Sequence, residues 1–157
     1  ADANQSNFKD ILIMIFNAKD GNVIGSSYGP VISKPDGSTD ISLKAVKTSF
    51  ATVYVVANAG TSNSMGPFSK ISTKTDFDNV YDSIKTAKDL ENRSFFPMFG
   101  KIDYFRPAAQ NASLTIKRLS AKVCISVKPA KNVILDSIQL CHVPLSAFFY
   151  DDIIIYI

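Results

Sequence analysis

The sequence predicts an all-β fold: a Greek-key β-sandwich of about seven strands, transthyretin-like or immunoglobulin-like, with one short α-helix near residues 76–88. Three observations carry that prediction. Runs rich in β-branched and aromatic residues, such as ILIMIFN and TVYVV, recur along the chain. Turn clusters such as KDGN, KPDGS and PAKN separate them. Only one stretch, TDFDNVYDSIKTAKDL, carries its apolar residues at the helical period. The 157 residues are enough for a single domain, 1–157, with a sizeable core, and 46% hydrophobic with 20% charged residues is ordinary for a globular chain.

Each element has its own warrant. ILIMIFNA (Ile11 to Ala18) is apolar on both faces and reads as a strand covered on both sides. Asp20-Gly21 follows as a hairpin turn, because glycine accepts positive φ. VIGSSYGPVIS is interrupted by Gly25, Gly29 and Pro30, which suits a bulged strand. Pro35 and Gly37 make KPDGS a turn, and FATVYVVANAG (Phe50 to Gly60) is the next strand. In the helical stretch Phe77, Val80, Tyr81 and Ile84 form one stripe. Thr75 is its expected N-cap, Asp76 and Asp78 suit the positive end of the dipole, and Lys85 and Lys88 suit the other. SFFPMFGKIDYF is strand-like, with Pro97 suggesting an edge or a bulge.

The long segment ASLTIKRLSAKVCISVK changes phase midway. Leu114 and Ile116 share one parity, whereas Leu119, Ala121, Val123, Ile125 and Val127 share the other. A bulge at Lys117-Arg118 does that and bends the strand from one layer toward the other. PAKN turns, then VILDSIQLCHV and AFFYDDIIIYI complete the strands.

Chemistry is sparse. The formal charge of +3 is too small, and too scattered, for a nucleic-acid binder. No run approaches the roughly 18 apolar residues of a membrane helix, and ADANQSNFKD lacks the features of a secretion signal. The single histidine, His142, sits beside Cys141, and neighbours in a strand point to opposite faces, so the pair makes no metal site. A Cys124–His142 nucleophilic pair would lie within regular strands, a poor setting for a reactive thiol. Asp151 and Asp152 are adjacent and diverge. No catalytic, metal-binding or cofactor-binding residue is assigned, and no cofactor is expected.

Parity places Cys124 with Ser120, Lys122 and Ser126, and Cys141 with Ser137 and Gln139, away from the apolar rows. If the PAKN turn closes a hairpin, both sulfurs emerge on one face. They are then a disulfide or two facing thiols. The chain ends in YDDIIIYI. Ile153, Ile155 and Ile157 point one way, and Ile154 and Tyr156 the other, so both faces of this tail ask for burial. A tethered strand has the higher effective concentration, which favours its own sandwich; capture by another subunit is the alternative.

Four segments, in order, resemble the N-terminal domain of the bacteroidete fimbrillins, the pilin family of type V pili. They are YVVANAG (Tyr54 to Gly60), FPMFGK (Phe96 to Lys101), KRLSAKVCISV (Lys117 to Val127) and VPLSAFF (Val143 to Phe149), and their spacing fits from Ile11 to Phe149. The resemblance implies an exported, lipid-targeted precursor whose mature subunits assemble by strand exchange at the outer membrane surface. It implies removal of a first strand by a protease cutting after Arg or Lys, and ILIMIFN is similar to the strand that follows that cut. The family's usual second β domain and its lipid-carrying cysteine are not expected in this chain.

The function expected is therefore a structural, non-catalytic fimbrial or adhesin subunit, with Ile153, Ile154, Ile155, Tyr156 and Ile157 as the candidate assembly strand. Its expected partners are other pilus subunits and host or bacterial surface ligands, with no nucleic acid, and with membrane attachment only through a lipid anchor outside this chain. The alternative is a secreted binding module for a glycan or peptide, with Tyr28, Tyr104 and Phe105 as contacts.

Overall fold

The computed structural model describes residues 9–31, 41, 43–59, 66–83, 96–106, 113–119, 125–139, 141 and 146–148. Seven strands lie among them: β1 (Asp10–Asn17), β2 (Val23–Pro30), β3 (Ala51–Ala57), β4 (Tyr81–Ser83), β5 (Met98–Phe105), β6 (Lys117–Arg118) and β7 (Ser146–Phe148). Five form an antiparallel sheet in the order β2-β1-β3-β5-β6, and β4 pairs with β7 in a second, two-stranded sheet. The all-β reading holds.

The β1–β2 hairpin follows from its turn chemistry. Gly21 takes φ 74°, and its N–H donates to the Asn17 carbonyl at 2.8 Å. Asp20 Oδ1 accepts from the Asn22 N–H at 2.9 Å, an Asx-type closure that glycine's conformation permits. Beyond it Ile15 pairs with Gly25 and Phe16 with Val23, so Ile24 is the extra residue of the expected bulge. A β-carbon at Gly25 would stand 2.8 Å from both the Lys44 carbonyl oxygen and the Ala45 β-carbon. Only glycine lets that segment close against the strand.

One face of the large sheet holds the core. Leu12, Met14, Phe16, Tyr54, Val56, Phe99 and Leu119 meet Phe68 and Phe77, delivered by a 3-10 turn (Gly66–Lys70) and helix α1 (Lys74–Asp78). The rings interlock edge to face: Tyr54 lies 4.8 Å from Phe77 and 5.2 Å from both Phe16 and Phe99, centroid to centroid. Tyr54 keeps its hydroxyl satisfied by donating to Asp78 Oδ1 at 3.3 Å. Burial raises its pKa, the Lys74 hydrogen bond works against that, and the Asp78 charge adds to it. Lys74 in turn pairs with Asp78 at 2.6 Å and lies over the Tyr54 ring. Burial opposes the Lys74 ammonium, yet the Asp78 and Tyr54 hydrogen bonds outweigh it and its pKa is raised.

The helix is shorter and earlier than the apolar stripe suggests. Thr73, not Thr75, is the N-cap: its side chain accepts from the Asp76 N–H, and Asp76 accepts in return from the Thr73 N–H at 2.8 Å. Hydrogen bonds from Ser72 and Thr73 lower the Asp76 pKa. Asn79 stops the helix, its side chain donating to the Thr75 carbonyl at 2.9 Å. The stripe residue Tyr81 belongs to β4, whose ladder with β7 competes successfully with another helical turn. Residues 84–88 of the expected helix lie outside the described residues.

The later strands also differ from expectation. Pro97 immediately precedes β5, which is not an edge there, since its carbonyl accepts from the Leu119 N–H at 3.1 Å and β6 flanks the strand; β5 does hold a bulge, but between Ile102 and Phe105. Among the described residues of the long segment only Lys117–Arg118 is strand, though the phase change there is real. Leu114 and Ile116 approach Gly100 on one face of the sheet, whereas Leu119 enters the core on the other. The PAKN turn forms, with Asn132 at φ 69° and the Val133 N–H donating to the Ala130 carbonyl. The flanking residues 125–130 and 133–139 carry no ladder among the described residues and are exposed, Ile134 to 92%. Alternation marks a face that wants burial, but a strand exists only where a partner offers its backbone.

Candidate assembly face

The second face of the five-stranded sheet is also apolar, and among the described residues its central side chains are only partly covered, whereas Ala51 and Ala57 on it are buried. Register places Ile13 beside Val55 and Ser27, Ile15 beside Val53 and Gly25, and Val53 beside Ile102. Ile11, Ile13, Ile15, Val53, Val55, Met98 and Ile102 are all partly exposed, and none joins the buried core cluster. Two segments wall this face. Residues 44–46 approach at Gly25, with the Val46 N–H on the Ile24 carbonyl at 2.8 Å. Residues 114–116 approach at Gly100, where a β-carbon would stand 2.5 Å from the Thr115 carbonyl oxygen. The result is an isoleucine- and valine-floored face with a wall at either side.

The floor strands are fastened at one end by a clamp built by Asn58. At φ 58° it occupies the left-handed region that asparagine tolerates best after glycine. Its N–H donates to the Asp10 carbonyl, its Oδ1 accepts from the Lys9 N–H at 2.8 Å, and its Nδ2 donates to the Phe96 carbonyl at 2.9 Å. Asp10, buried, accepts from the Ala59 N–H at 2.8 Å. One side chain thus fastens the start of β1, the end of β3 and the approach to β5. The same burial next to Asp10 raises the Tyr28 pKa, with desolvation the larger cause and the Asp10 charge the smaller. The Ala-Asn ending of YVVANAG and the glycine of FPMFGK are therefore structural residues.

The sequence-derived candidates are placed unevenly. Ile153 to Ile157, Cys124, His142, Asp151 and Asp152 lie outside the described residues, so the tail strand and the cysteine pairing have no geometry. Cys141 is exposed. Of the three aromatic contacts, Tyr28 packs against the core and Phe105 is partly buried opposite Ala51, leaving only Tyr104 exposed. Among the described residues, no group of three or more His, Cys, Asp or Glu could hold a metal, and no helix is long and apolar enough to cross a membrane. The Tyr54–Lys74–Asp78 cluster escapes a reading of the sequence, because only folding brings β3 to α1.

Comparisons with known proteins agree with this architecture. A fimbrilin from Porphyromonas gingivalis W83 superposes with a TM-score of 0.51 at 14% identity, over 75% of this chain and 35% of that one. A candidate cell adhesion protein from Bacteroides eggerthii DSM 20697 gives a TM-score of 0.52 at 20% identity, over 73% of this chain and 35% of that one. At such identities the likeness is one of fold, and the chain spans about a third of the length of these proteins. No curated protein matches it. The pattern of the Major fimbrial subunit protein (FimA) family matches residues 1–117. The chain belongs to this family of fimbrial subunits.

Proposed function

We propose that the chain is a non-catalytic fimbrial subunit, one β-sandwich domain over 1–157, that is exported to the cell surface and joins other subunits by β-strand exchange. The observation that carries this reading is the walled, partly exposed isoleucine–valine face of the five-stranded sheet. A strand laid there would pack side chains on the floor, and its backbone would have to pair with a wall segment, since the N–H and C=O groups of the sheet lie in its plane and serve neighbouring strands. It would also remove from water side chains that the core on the other face leaves uncovered. The tail Ile153 to Ile157, apolar on both faces, is the candidate donor. Family membership favours this over a free-standing secreted binding module.

The test is to end the chain after Tyr150 and compare it with the full chain by sedimentation at rising concentration. Strand exchange through the tail predicts a truncated protein that stays folded and monomeric while the full chain assembles. A truncated protein that loses most of its stability and aggregates would place the tail inside its own sandwich instead.

A further inference from the structure

We propose that the outer edge of β2 is a second contact between subunits, and that residues 133–139 of another copy of this chain pair with it. The proposal rests on the reading of the chain as a strand-exchanging subunit and gives that exchange a second donor segment. β2 is one edge of the five-stranded sheet and pairs only with β1. The Val31 N–H donates to the Lys9 carbonyl at 3.1 Å, and alternate pairs from there, Ile11–Gly29 and Ile13–Ser27, turn their backbone groups toward each other. Ser26 and Tyr28 therefore direct their N–H and C=O groups to the outer side. The Ile24 carbonyl belongs to the same row, and the Val46 N–H bonds it at 2.8 Å. Beyond that single bond, the row of Ser26, Tyr28 and the Pro30 carbonyl meets no partner strand among the described residues. Edges of this kind are commonly guarded by charged side chains, and VIGSSYGP carries none.

The chain also holds the reverse, a strand-like segment with no sheet. Residues 133–139, VILDSIQ, follow the PAKN turn with Val133, Ile134, Leu135 and Ile138 all exposed. Among the described residues, the whole stretch 125–139 makes one backbone hydrogen bond, from the Val133 N–H to the Ala130 carbonyl. Apolar side chains on both faces and a backbone without a ladder ask for a sheet edge. The chain's own β2 is badly placed to give one. The segment follows β6, which ends the sheet on the side opposite β2, four strand spacings or roughly 19 Å away. A second copy has no such separation to cross. β2 borders the isoleucine–valine face, with Ser27 beside Ile13 and Gly25 beside Ile15. A neighbour whose tail lies on that face therefore carries its residues 133–139 close to this edge, since the two donor segments flank β7 in the chain. The edge is short, so it holds only where the tail has already joined the pair and raised the local concentration. Donor segment and acceptor edge are different surfaces, and repeating the contact gives an open chain of subunits.

The full chain and its variants should be followed by sedimentation at rising concentration, with hydrogen–deuterium exchange of segments 23–30, 133–139 and 153–157 read by mass spectrometry. Assembly should slow exchange in 23–30 and 133–139 together. Ile134→Lys/Ile138→Lys and Ser26→Pro should each weaken association about tenfold or more. Both should keep the wild-type thermal midpoint, because these side chains are exposed and the Ser26 N–H faces outward. Ser26→Lys, which puts a charge on the same edge, should act alike. Mixed one to one, the strand variant and the edge variant should recover wild-type affinity for a single pairing, one supplying the intact edge and the other the intact strand. Slowed exchange confined to 153–157 would overturn this contact and leave tail exchange standing, whereas a chain that stays monomeric throughout would overturn both. Undiminished association of the folded strand variant would also overturn it. So would undiminished association of both edge variants, which would assign residues 133–139 to pairing with the same segment of another copy.

Discussion

The two faces of the five-stranded sheet are built from the same kinds of residue and end in different states. On one, Leu12, Met14, Phe16, Tyr54, Val56 and Phe99 are buried under Phe68 and Phe77, with Phe16, Tyr54 and Phe77 in mutual edge contact. On the other, Ile11, Ile13, Ile15, Val53 and Val55 are partly exposed between two walls. Hydrophobicity alone does not separate them. What separates them is a covering element: the chain brings the 3-10 turn and α1 to the first face, pinned by the Thr73–Asp76 capping box and the Lys74–Asp78 pair. Among the described residues the second face has walls, and no such element crosses its partly exposed floor. Under the proposed strand exchange, a subunit must hold its shape alone and still bind a neighbour, and this division would give one task to each face.

The largest effect should come from breaking the closed face. Phe77→Ala removes the ring that touches Phe16, Tyr54, Phe68 and Phe99, and should cost about 3–5 kcal/mol in denaturant unfolding. A loss under about 1 kcal/mol would mean that α1 is not the lid of this core.

Next in size is the clamp common to both faces. Asn58→Ala gives up two side-chain hydrogen bonds and puts alanine at φ 58°, together about 2–3 kcal/mol. Asn58→Gly keeps the backbone comfortable and should lose about 1 kcal/mol less, a difference that isolates the left-handed conformation from the hydrogen bonds. Equal losses in the two variants would show that φ is not the constraint.

The smallest effect depends on pH. Asp76 has a folded pKa lowered by its Ser72 and Thr73 hydrogen bonds, from an ordinary value of 3.8. Its contribution is therefore fully present above that value and lost as pH falls through the lowered folded pKa. The stability gap between wild type and Asp76→Ala should be constant near neutrality and shrink in acid, as followed by thermal unfolding. A gap that widens on acidification would contradict the capping role.

These elements also show what a sequence can reveal by itself. Asp20-Gly21 and PAKN are legible because turn geometry is local, and β1 and β3 are legible because both faces of each run are apolar. The phase change at Lys117-Arg118 is legible for the same reason: parity alone sends Leu119 away from Leu114 and Ile116. The helix end was not, because Val80 and Tyr81 continue the apolar stripe while the ladder with Ser146–Phe148 decides their state from more than sixty residues away. Nor was the strandless state of 125–139, since alternation gives a face but not a partner. The bulge at Tyr104 has no sequence mark, because tyrosine at positive φ is the opposite of what local preference suggests. At the assembly face, the apolar floor could be read from ILIMIFN, but not the walls, which depend on close approaches at Gly25 and Gly100.

The proposed assembly requires that the isoleucine–valine face is open in the subunit and is used between subunits. The most direct measurement pairs Ile13→Asp with Val55→Asp and follows each by thermal unfolding in dilute solution and by sedimentation at high concentration. An open face predicts that a carboxylate there, still reached by water, leaves each variant folded with a modest loss, while concentration-dependent assembly disappears. Variants that unfold in dilute solution, or that assemble as readily as the wild type, would contradict it.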